Sequence, residues 1–405
     1  MPARALNVLM VAANLRIPGP TGGAVHQLEL VRALTRKGHR IYLVAMKPEE
    51  YPHCPGLIYL PIPYVRRQVL APVLTLAALL RCLLALMSYE IDVIHDRMYL
   101  LGGAGTIAGL LFGKRKVVQA DGNWVESTDY APLRCPPVRA LIDLWISAVL
   151  KNADAIMAVS RALKRVLVEA YGVPPQKIKV VPNGVDVEKF NPKLRELYRA
   201  EKDSDEIRLV YVGEIAPWHG LDVVIECLPK VLRRFPNVKL IIVGGPAKEL
   251  QYSRERHSYV EQLKRKVERL GLSDKVVFTG YVPHDEVPRI LATCDIALCL
   301  FTKEGGRYSF GFSPLKLFEY MAMGLPVIST DVEWIREIVE EGRSGFLIPI
   351  ENMRNPMSIS EAFIPLLANS SLRESVGRAA RRICETKYSW DTITTKIVYL
   401  YQSMN

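Results

Sequence analysis

Residues 6–44, LNVLMVAANLRIPGPTGGAVHQLELVRALTRKGHRIYLV, decide the fold. Residues 6–12 form a near-continuous apolar run of strand length, the pattern of a strand buried on both faces. The PGPTGG run at 18–23 is dense in breakers and predicts a loop. Residues 24–36 have a helical apolar period closed by Lys37 and Gly38, and 40–44 read as a second strand. Strand, loop, helix and strand make a βαβ unit, which implies a parallel sheet covered by helices. The loop then lies at the carboxyl end of a strand and at a helix N-terminus, where open α/β sheets bind ligands. Gly22 and Gly23 would let backbone approach a phosphate or a sugar closely. The pattern is not GxGxxG, so a plain turn stays open.

Outward from there the alternation continues. Strands are expected at 91–95, 116–120, 155–159 and 177–181, and helices at 137–151 and 161–171. A Pro-Asn-Gly turn at 182–184 ends this half, and the charged residues 187–206 read as a linker. The pattern then restarts, with strands at 208–212, 238–243, 275–279, 296–300 and 345–348. Helices are expected from the loop after 213 to 235, at 253–270 and at 285–293, and a last helix at 390–402. The chain therefore reads as α/β with two doubly wound halves and glycine-rich loops at strand ends.

With 405 residues, two domains are the default. Hydrophobic residues at 49% and charged residues at 23% describe a globular chain. The formal charge of +11 suits phosphorylated ligands, an anionic membrane surface or nucleic acid. No basic block is interleaved with aromatics, which ranks nucleic acid last and leads us to expect none as a partner. The seven cysteines, at 54, 82, 135, 227, 294, 299 and 384, form no CxxC pair and read as free thiols in a reducing compartment. The apolar start is broken by Asn7 and Asn14 and reads as a buried strand rather than a leader, so a cytoplasmic chain is expected.

Residues 69–87 approach the length of a membrane span, interrupted by Pro72, Thr75 and Arg81. Arg81 near the centre would cost on the order of 2.5–3.5 kcal/mol in lipid. A buried core helix and a helix lying on a membrane surface both remain open; Arg66, Arg67 and Arg81 would suit anionic headgroups.

The richest stretch is 308–330, YSFGFSPLKLFEYMAMGLPVIST. A Gly/Ser/Pro loop runs into an apolar helix that Gly324 stops, and a strand follows. Unpaired N–H groups and the dipole at such a helix start attract an anion. Lys316 and Glu319 share a face of that helix. They are either a surface ion pair or a cation for a diphosphate beside a carboxylate for sugar hydroxyls.

Taken together, the segments ADAIMAVSRALKRVL, KIKVVPNGVDVEKFNP, RLVYVGEIAPWHGLDVVIE, LIIVGG, VVFTGYVPHDEVPRILATCDIALCLF and the 308–330 stretch resemble the family-4 retaining glycosyltransferases of GT-B fold. The forms PWHG and SPLKLFEYMA mark a subgroup. The resemblance implies two Rossmann-like domains facing a cleft, 1–186 on the acceptor side and 187–388 on the donor side. It implies that 389–405 cross back as a helix onto the first. It further implies transfer of a sugar from a nucleotide-sugar to a glycan or lipid-linked hydroxyl, with retention of configuration and without a metal. Leaving-group stabilisation then falls to helix N-termini and cations.

Residue by residue, the resemblance makes Glu319 the ribose ligand, since a carboxylate can accept from two adjacent hydroxyls. It places Gly245, Gly280, Tyr281 and Val282 near the base. The backbone of Phe312, Ser313 and Leu315 would cradle sugar and phosphate. Two departures follow. The family's first carboxylate falls at Gly311. The family's Arg and Lys on the diphosphate fall at Glu214 and His219. Lys316 is therefore expected to supply the missing charge, with His219 as second donor and Arg307 a weaker candidate; His219 as a helix-capping residue is the alternative. Asp121 stands where many relatives have a His, and with Asn123 and Glu126 it forms a polar group at a strand end, or else an Asp-Gly turn and a cap. His95 is either near the sugar or structural, and Asn183 shapes the crossing between domains. A nucleotide-sugar epimerase and a non-catalytic nucleotide-sugar-binding subunit are the alternatives.

Overall fold

The computed structural model describes residues 4–64, 71–122, 135–201, 203, 205–245, 254–304 and 311–404. The chain forms two units. The first comprises Met1–Gly184, Phe310–Ser313 and Trp390–Asn405; the second comprises Val185–Ser309 and Pro314–Ser389. Of the residues singled out above, Arg66, Arg67, Asn123, Glu126, Arg307, Tyr308 and Ser309 lie outside the described residues, as do 69 and 70 at the start of the apolar run.

The first unit holds β1 (Asn7–Arg16), α1 (Gly22–Arg36), β2 (Arg40–Met46), β3 (Leu57–Ile62), α2 (Ala71–Ser88), β4 (Val93–Arg97), α3 (Ala104–Leu111), β5 (Arg115–Ala120), α4 (Pro136–Asn152), β6 (Ala155–Ala158), α5 (Arg161–Tyr171) and β7 (Ile178–Val180). Its sheet is parallel throughout, in the order β3-β2-β1-β4-β5-β6-β7. Val8 pairs with Ile41 on one side and Val93 on the other. Chain order therefore reverses at β1 and β4, and the switch point lies at their carboxyl ends. Thr21 opens α1 there, accepting from the Ala24 N–H at 3.2 Å.

The second unit holds α6 (Leu194–Tyr198), β8 (Ile207–Val212), α7 (Leu221–Arg234), β9 (Val238–Val243), α8 (Arg254–Arg269), β10 (Val276–Gly280), α9 (Val287–Ala292), β11 (Ile296–Cys299), α10 (Leu315–Ala322), β12 (Val327–Asp331), α11 (Glu333–Arg336), β13 (Gly345–Pro349), α12 (Pro356–Ala368) and α13 (Ser370–Ile383). Its parallel sheet runs β10-β9-β8-β11-β12-β13, with the switch point at β8 and β11.

The last helix, α14 (Trp390–Ser403), returns to the first unit. Trp390, Ile393, Ile397 and Tyr401 enter the core beside Leu30 and Leu34 of α1. Each such burial contributes about 1.5–3 kcal/mol as an upper bound. Lys37 reaches Asp391 at 2.5 Å across the same seam.

Several elements depart from expectation: α11, α12 and α13 were not expected, and three further cases have a clear physical reason. Residues 187–206 are not a bare linker: they contain α6, and Arg195 donates to the Cys294 carbonyl at 2.9 Å within the second unit. β3 was hidden by Pro61, which a sheet tolerates because β3 is an edge strand. α3 was hidden by its small residues, which bring it close to the sheet; a Cβ on Gly105 would stand 3.0 Å from Val11, Ile94 and Asp96 atoms.

Candidate functional site

In the second unit the carboxyl edge is lined by glycine for a steric reason. Gly244 has φ 149°, and a Cβ there would lie 1.9 Å from the Gly213 carbonyl oxygen. No other residue fits, so the ends of β8 and β9 present bare backbone. Gly245 follows, and Gly280 and the half-exposed Tyr281 close the β10 side.

Lys316 sits in the first turn of α10 and folds back over this edge. Its Nζ lies 4.0 Å from the Tyr211 ring centroid and 3.1 Å from the position of a Gly213 Cβ. Among the described residues it makes no ion pair. Burial lowers its pKa to about 8, while the nearby Cys299, Glu214 and Glu319 act to raise it. Removing a cation from water while leaving it unpaired is unfavourable, and the ring face offsets only part of that.

Glu319, one turn along α10, is buried and accepts from His284 Nε2 at 2.7 Å. Lys189 Nζ lies 3.0 Å from His284 Nδ1 and also 2.6 Å from Asp285. An ammonium can only donate, so Nδ1 is the acceptor and the imidazole proton sits on Nε2. The Glu319 carboxylate is thereby held at one oxygen by a neutral histidine.

His219 lies in a 3-10 turn before α7 and is buried among Tyr211, Trp218 and Phe301. Its Nδ1–H donates to the Leu300 carbonyl at 3.1 Å, and the Thr302 N–H donates to the Trp218 carbonyl at 2.8 Å. These two bonds fix the PWHG turn on the end of β11. Gly220 takes the cap position of α7 without a side-chain bond, so His219 does not cap the helix.

In the first unit the edge of β1, β4 and β5 is occupied by an ion pair. Arg97 Nη2 meets Asp121 Oδ2 at 2.6 Å, and Nη1 donates to Asn14 at 3.0 Å. The guanidinium lies against Gly23 at the start of α1, where a Cβ would stand 3.1 Å from Nη2. Asp121 is therefore neither a bare turn residue nor an isolated carboxylate.

Of the two readings of His95, its surroundings fit the structural one. It is fully buried, Nε2–H donating to Gln119 at 2.8 Å and Nδ1 accepting from the Tyr401 hydroxyl at 2.5 Å. Gln119 Nε2 donates in turn to His26 Nε2 at 2.8 Å, and Gln27 donates to Gln119 Oε1 at 2.7 Å. Burial lowers the His95 pKa to about 4 and that of His26 to about 3, the latter helped by Arg97 and His95.

Gly311, Phe312 and Ser313 belong to the first unit. Gly311 has φ 71°, its carbonyl accepts from Ser160 at 2.7 Å, and a Cβ would lie 2.5 Å from the Leu163 N atom. The missing family carboxylate at this position is thus excluded by backbone geometry. Ser313 is also engaged: its hydroxyl accepts from the Asn183 N–H at 3.0 Å and its carbonyl from Asn183 Nδ2 at 2.6 Å. Phe312 lies beside Gly122, and Leu315 begins α10, half-buried. Gly22 is the first residue of α1.

Sequence reasoning missed Arg97, Asn14, His284 and Lys189. Arg97 stands two residues past the His95 that was noticed; in a strand buried on both faces, the end residue is the one that emerges. His284 and Glu319 are 35 positions apart, and no local pattern joins them.

Two doubly wound parallel sheets, each with its switch point at a carboxyl edge, define a two-domain Rossmann-like chain. Residues 20–189 match the family model Glycosyltransferase Family 4, and residues 195–383 match Glycosyl transferases group 1. The chain belongs to the GT-B glycosyltransferases of this family-4-like type. It is 28% identical over 253 residues to an uncharacterized glycosyltransferase of Methanocaldococcus jannaschii, covering 61% of this chain and 59% of that protein. It is 27% identical over 253 residues to the GDP-mannose-dependent alpha-(1-6)-phosphatidylinositol monomannoside mannosyltransferase of Mycobacterium tuberculosis, covering 61% of each. The matches thus span about three fifths of these relatives' length. Sucrose-phosphate synthase of Thermosynechococcus elongatus has the same fold, with TM-score 0.78, 18% identity and 98% of each chain covered. So does Anabaena HepE in complex with UDP and glucose, with TM-score 0.73, 18% identity and coverage of 98% of this chain and 100% of that one.

Proposed function

We propose that the chain is a retaining, metal-independent glycosyltransferase that moves a sugar from a nucleoside-diphosphate-sugar to an acceptor hydroxyl, in lipid-linked or cell-surface glycan synthesis on the cytoplasmic side. The observation that carries this reading is the Lys316 ammonium, held without a described carboxylate partner beside the bare strand end of Gly213. Charge develops on the diphosphate as the anomeric C–O bond breaks, and a preorganised cation at a helix start stabilises that charge. Lys316 takes the place of the cations absent at Glu214 and His219. His219 is oriented by Leu300, and its Nε2 donates only as the imidazolium, a state that an adjacent diphosphate favours. Glu319, steadied by His284, receives the ribose hydroxyls. The acceptor proton passes to the leaving phosphate oxygen as the new C–O bond forms on the same face. Asp121, fixed by Arg97, orients the sugar or acceptor.

The test is a panel of labelled UDP- and GDP-sugars with and without EDTA, read by mass spectrometry and by NMR of the product's anomeric centre. Expected are transfer with the donor's configuration and no loss in EDTA. Inversion, metal dependence, interconversion of the donor without an acceptor, or binding without turnover would each overturn the reading. The last two outcomes would point to an epimerase and to a regulatory subunit.

A further inference from the structure

The transferase reading leaves one surface unused, the outer side of α2 and the end of α3. Val73, Leu76, Leu80, Leu84 and Met87 recur at spacings of three and four and so form one stripe along α2. All are more than half exposed, from 54% at Leu80 and Leu84 to 73% at Met87. The opposite stripe, Leu74, Ala78, Cys82 and Ala85, is buried in the core with Leu9, Val11 and Tyr42. α2 is thus apolar on both sides and covered on one. Both helices lead into strands of the same parallel sheet and pack on each other, so their C-terminal turns lie together. The end of α3 adds Leu110, Leu111 and Phe112, all exposed, and Lys114 and Arg115 follow. An apolar surface of this extent marks an interaction site.

The charge around it selects the partner. α2 has no acidic residue, and its single charge is Arg81. Of the nearest acids, Asp92 accepts from the Asn7 N–H at 2.8 Å and pairs with Arg4 at 3.4 Å, and Glu90 lies beyond the helix. We propose that this face lays α2 flat on an anionic bilayer surface, its stripe in the acyl boundary and Lys114 and Arg115 toward lipid phosphates. α2 is long and apolar enough to cross a membrane. Crossing would pull its inner stripe out of the sheet's core, whereas lying flat leaves that core closed. A second copy fits less well, because a helix seam of this spacing uses opposite charges at its flanks, and two such faces bring only like charges together. The inference does not depend on the transferase reading.

The test is flotation of the full chain with phosphatidylcholine vesicles and with vesicles of equal parts phosphatidylcholine and phosphatidylglycerol. The chain is expected to float with the anionic vesicles in dilute buffer and to be largely released by molar salt. Leu76→Glu with Leu80→Glu should lower the bound fraction at least about tenfold, with circular dichroism and Tm unchanged. Lys114→Glu with Arg115→Glu should lower it about tenfold on anionic vesicles only. Absence of flotation with either vesicle overturns the proposal, as does undiminished flotation of both variants. So does a lipid-free dimer by light scattering that the leucine variant converts to monomer. Turnover on a soluble acceptor, measured alongside, separates failure of docking from failure of the chemistry.

Discussion

The carboxyl edges of the two sheets share a topology and solve opposite problems. In the first unit the charged and polar side chains find one another, Arg97 with Asp121 and Asn14, His95 with Tyr401 and Gln119, Gln119 with His26, although Arg97 Nε, His26 Nδ1, Gln27 Oε1 and Asp96 Oδ1 are buried without a hydrogen bond among the described residues. In the second, Lys316 stands over a ring with no described carboxylate paired to it, above an edge that Gly213 and Gly244 keep bare. A polar cluster whose charge is paired within it fixes a conformation. A half-buried cation with no carboxylate paired to it among the described residues is a standing destabilisation, which persists where a ligand supplies the missing charge. The comparison thus assigns structure to the first edge and ligand charge to the second.

The largest test exchanges one cation at each edge for an apolar side chain. Lys316→Met should lower turnover about 10²–10³-fold, or ~2.7–4 kcal/mol of transition-state stabilisation. Its Tm should hold or rise, because among the described residues the lost cation had no carboxylate partner. Arg97→Met should behave in the opposite way: Asp121 is left as a partly buried unpaired charge, at a cost of about 3 kcal/mol read as a lower Tm or denaturant midpoint. If Lys316→Met unfolds the chain, or Arg97→Met is as stable as the parent, the contrast between the edges fails.

A smaller effect is expected at Gly311. Restoring the family carboxylate with Gly311→Glu asks a side chain to adopt φ 71° and to displace the Leu163 backbone. Strain of this kind is about 1–3 kcal/mol. Urea denaturation should show that loss with no gain in turnover. Raised turnover would show instead that the segment has another conformation open to it.

Much of this was legible in the sequence. The βαβ grammar of 6–44 and its restart at 208 follow from apolar runs and breakers, which are local signals. Lys316 could be singled out because the expected cations were absent at 214 and 219. The rest depended on distance in the chain. His284 reaches Glu319 from another strand end, Arg97 finds Asp121 across two strands, and His95 looked like a site residue because a strand-end histidine reads the same whether its ring is exposed or bonded to Tyr401. Gly311 read as a lost acceptor; only its φ and its closeness to Leu163 show that no side chain fits.

The smallest expected effect is a pH dependence that should fall on folding alone at one edge and on both folding and binding at the other. His26 and His95, with pKa values lowered to about 3 and about 4, resist protonation in the fold, whereas the unfolded chain takes up those protons below about 6.5. Their stabilisation is therefore complete above 6.5 and is lost as pH falls. Asp96 opposes them: burial raises its pKa to about 6, so its contribution is present below its ordinary value of 3.8 and is lost as pH rises through 6. Between about pH 4 and 6 two protons favour the unfolded chain and one favours the fold, so these groups should lower stability by about 1.4 kcal/mol per pH unit on acidification. Replacing His95 and His26 by Gln should reverse the sign of that slope in denaturant titrations, because Asp96 then acts alone and favours the fold on acidification. Lys316 titrates on the alkaline side instead: the unfolded chain keeps its proton up to about 10.5, so folding stability rises with pH between about 8 and 10.5, and binding titrates as well. A diphosphate prefers the ammonium, so UDP or GDP affinity should fall as pH rises through about 8 and continue down about tenfold per unit until the pKa of the complex is reached. Calorimetry of Lys316→Arg, whose charge does not titrate in this range, should show a flat profile; a decline matching the parent would place the titrating group elsewhere.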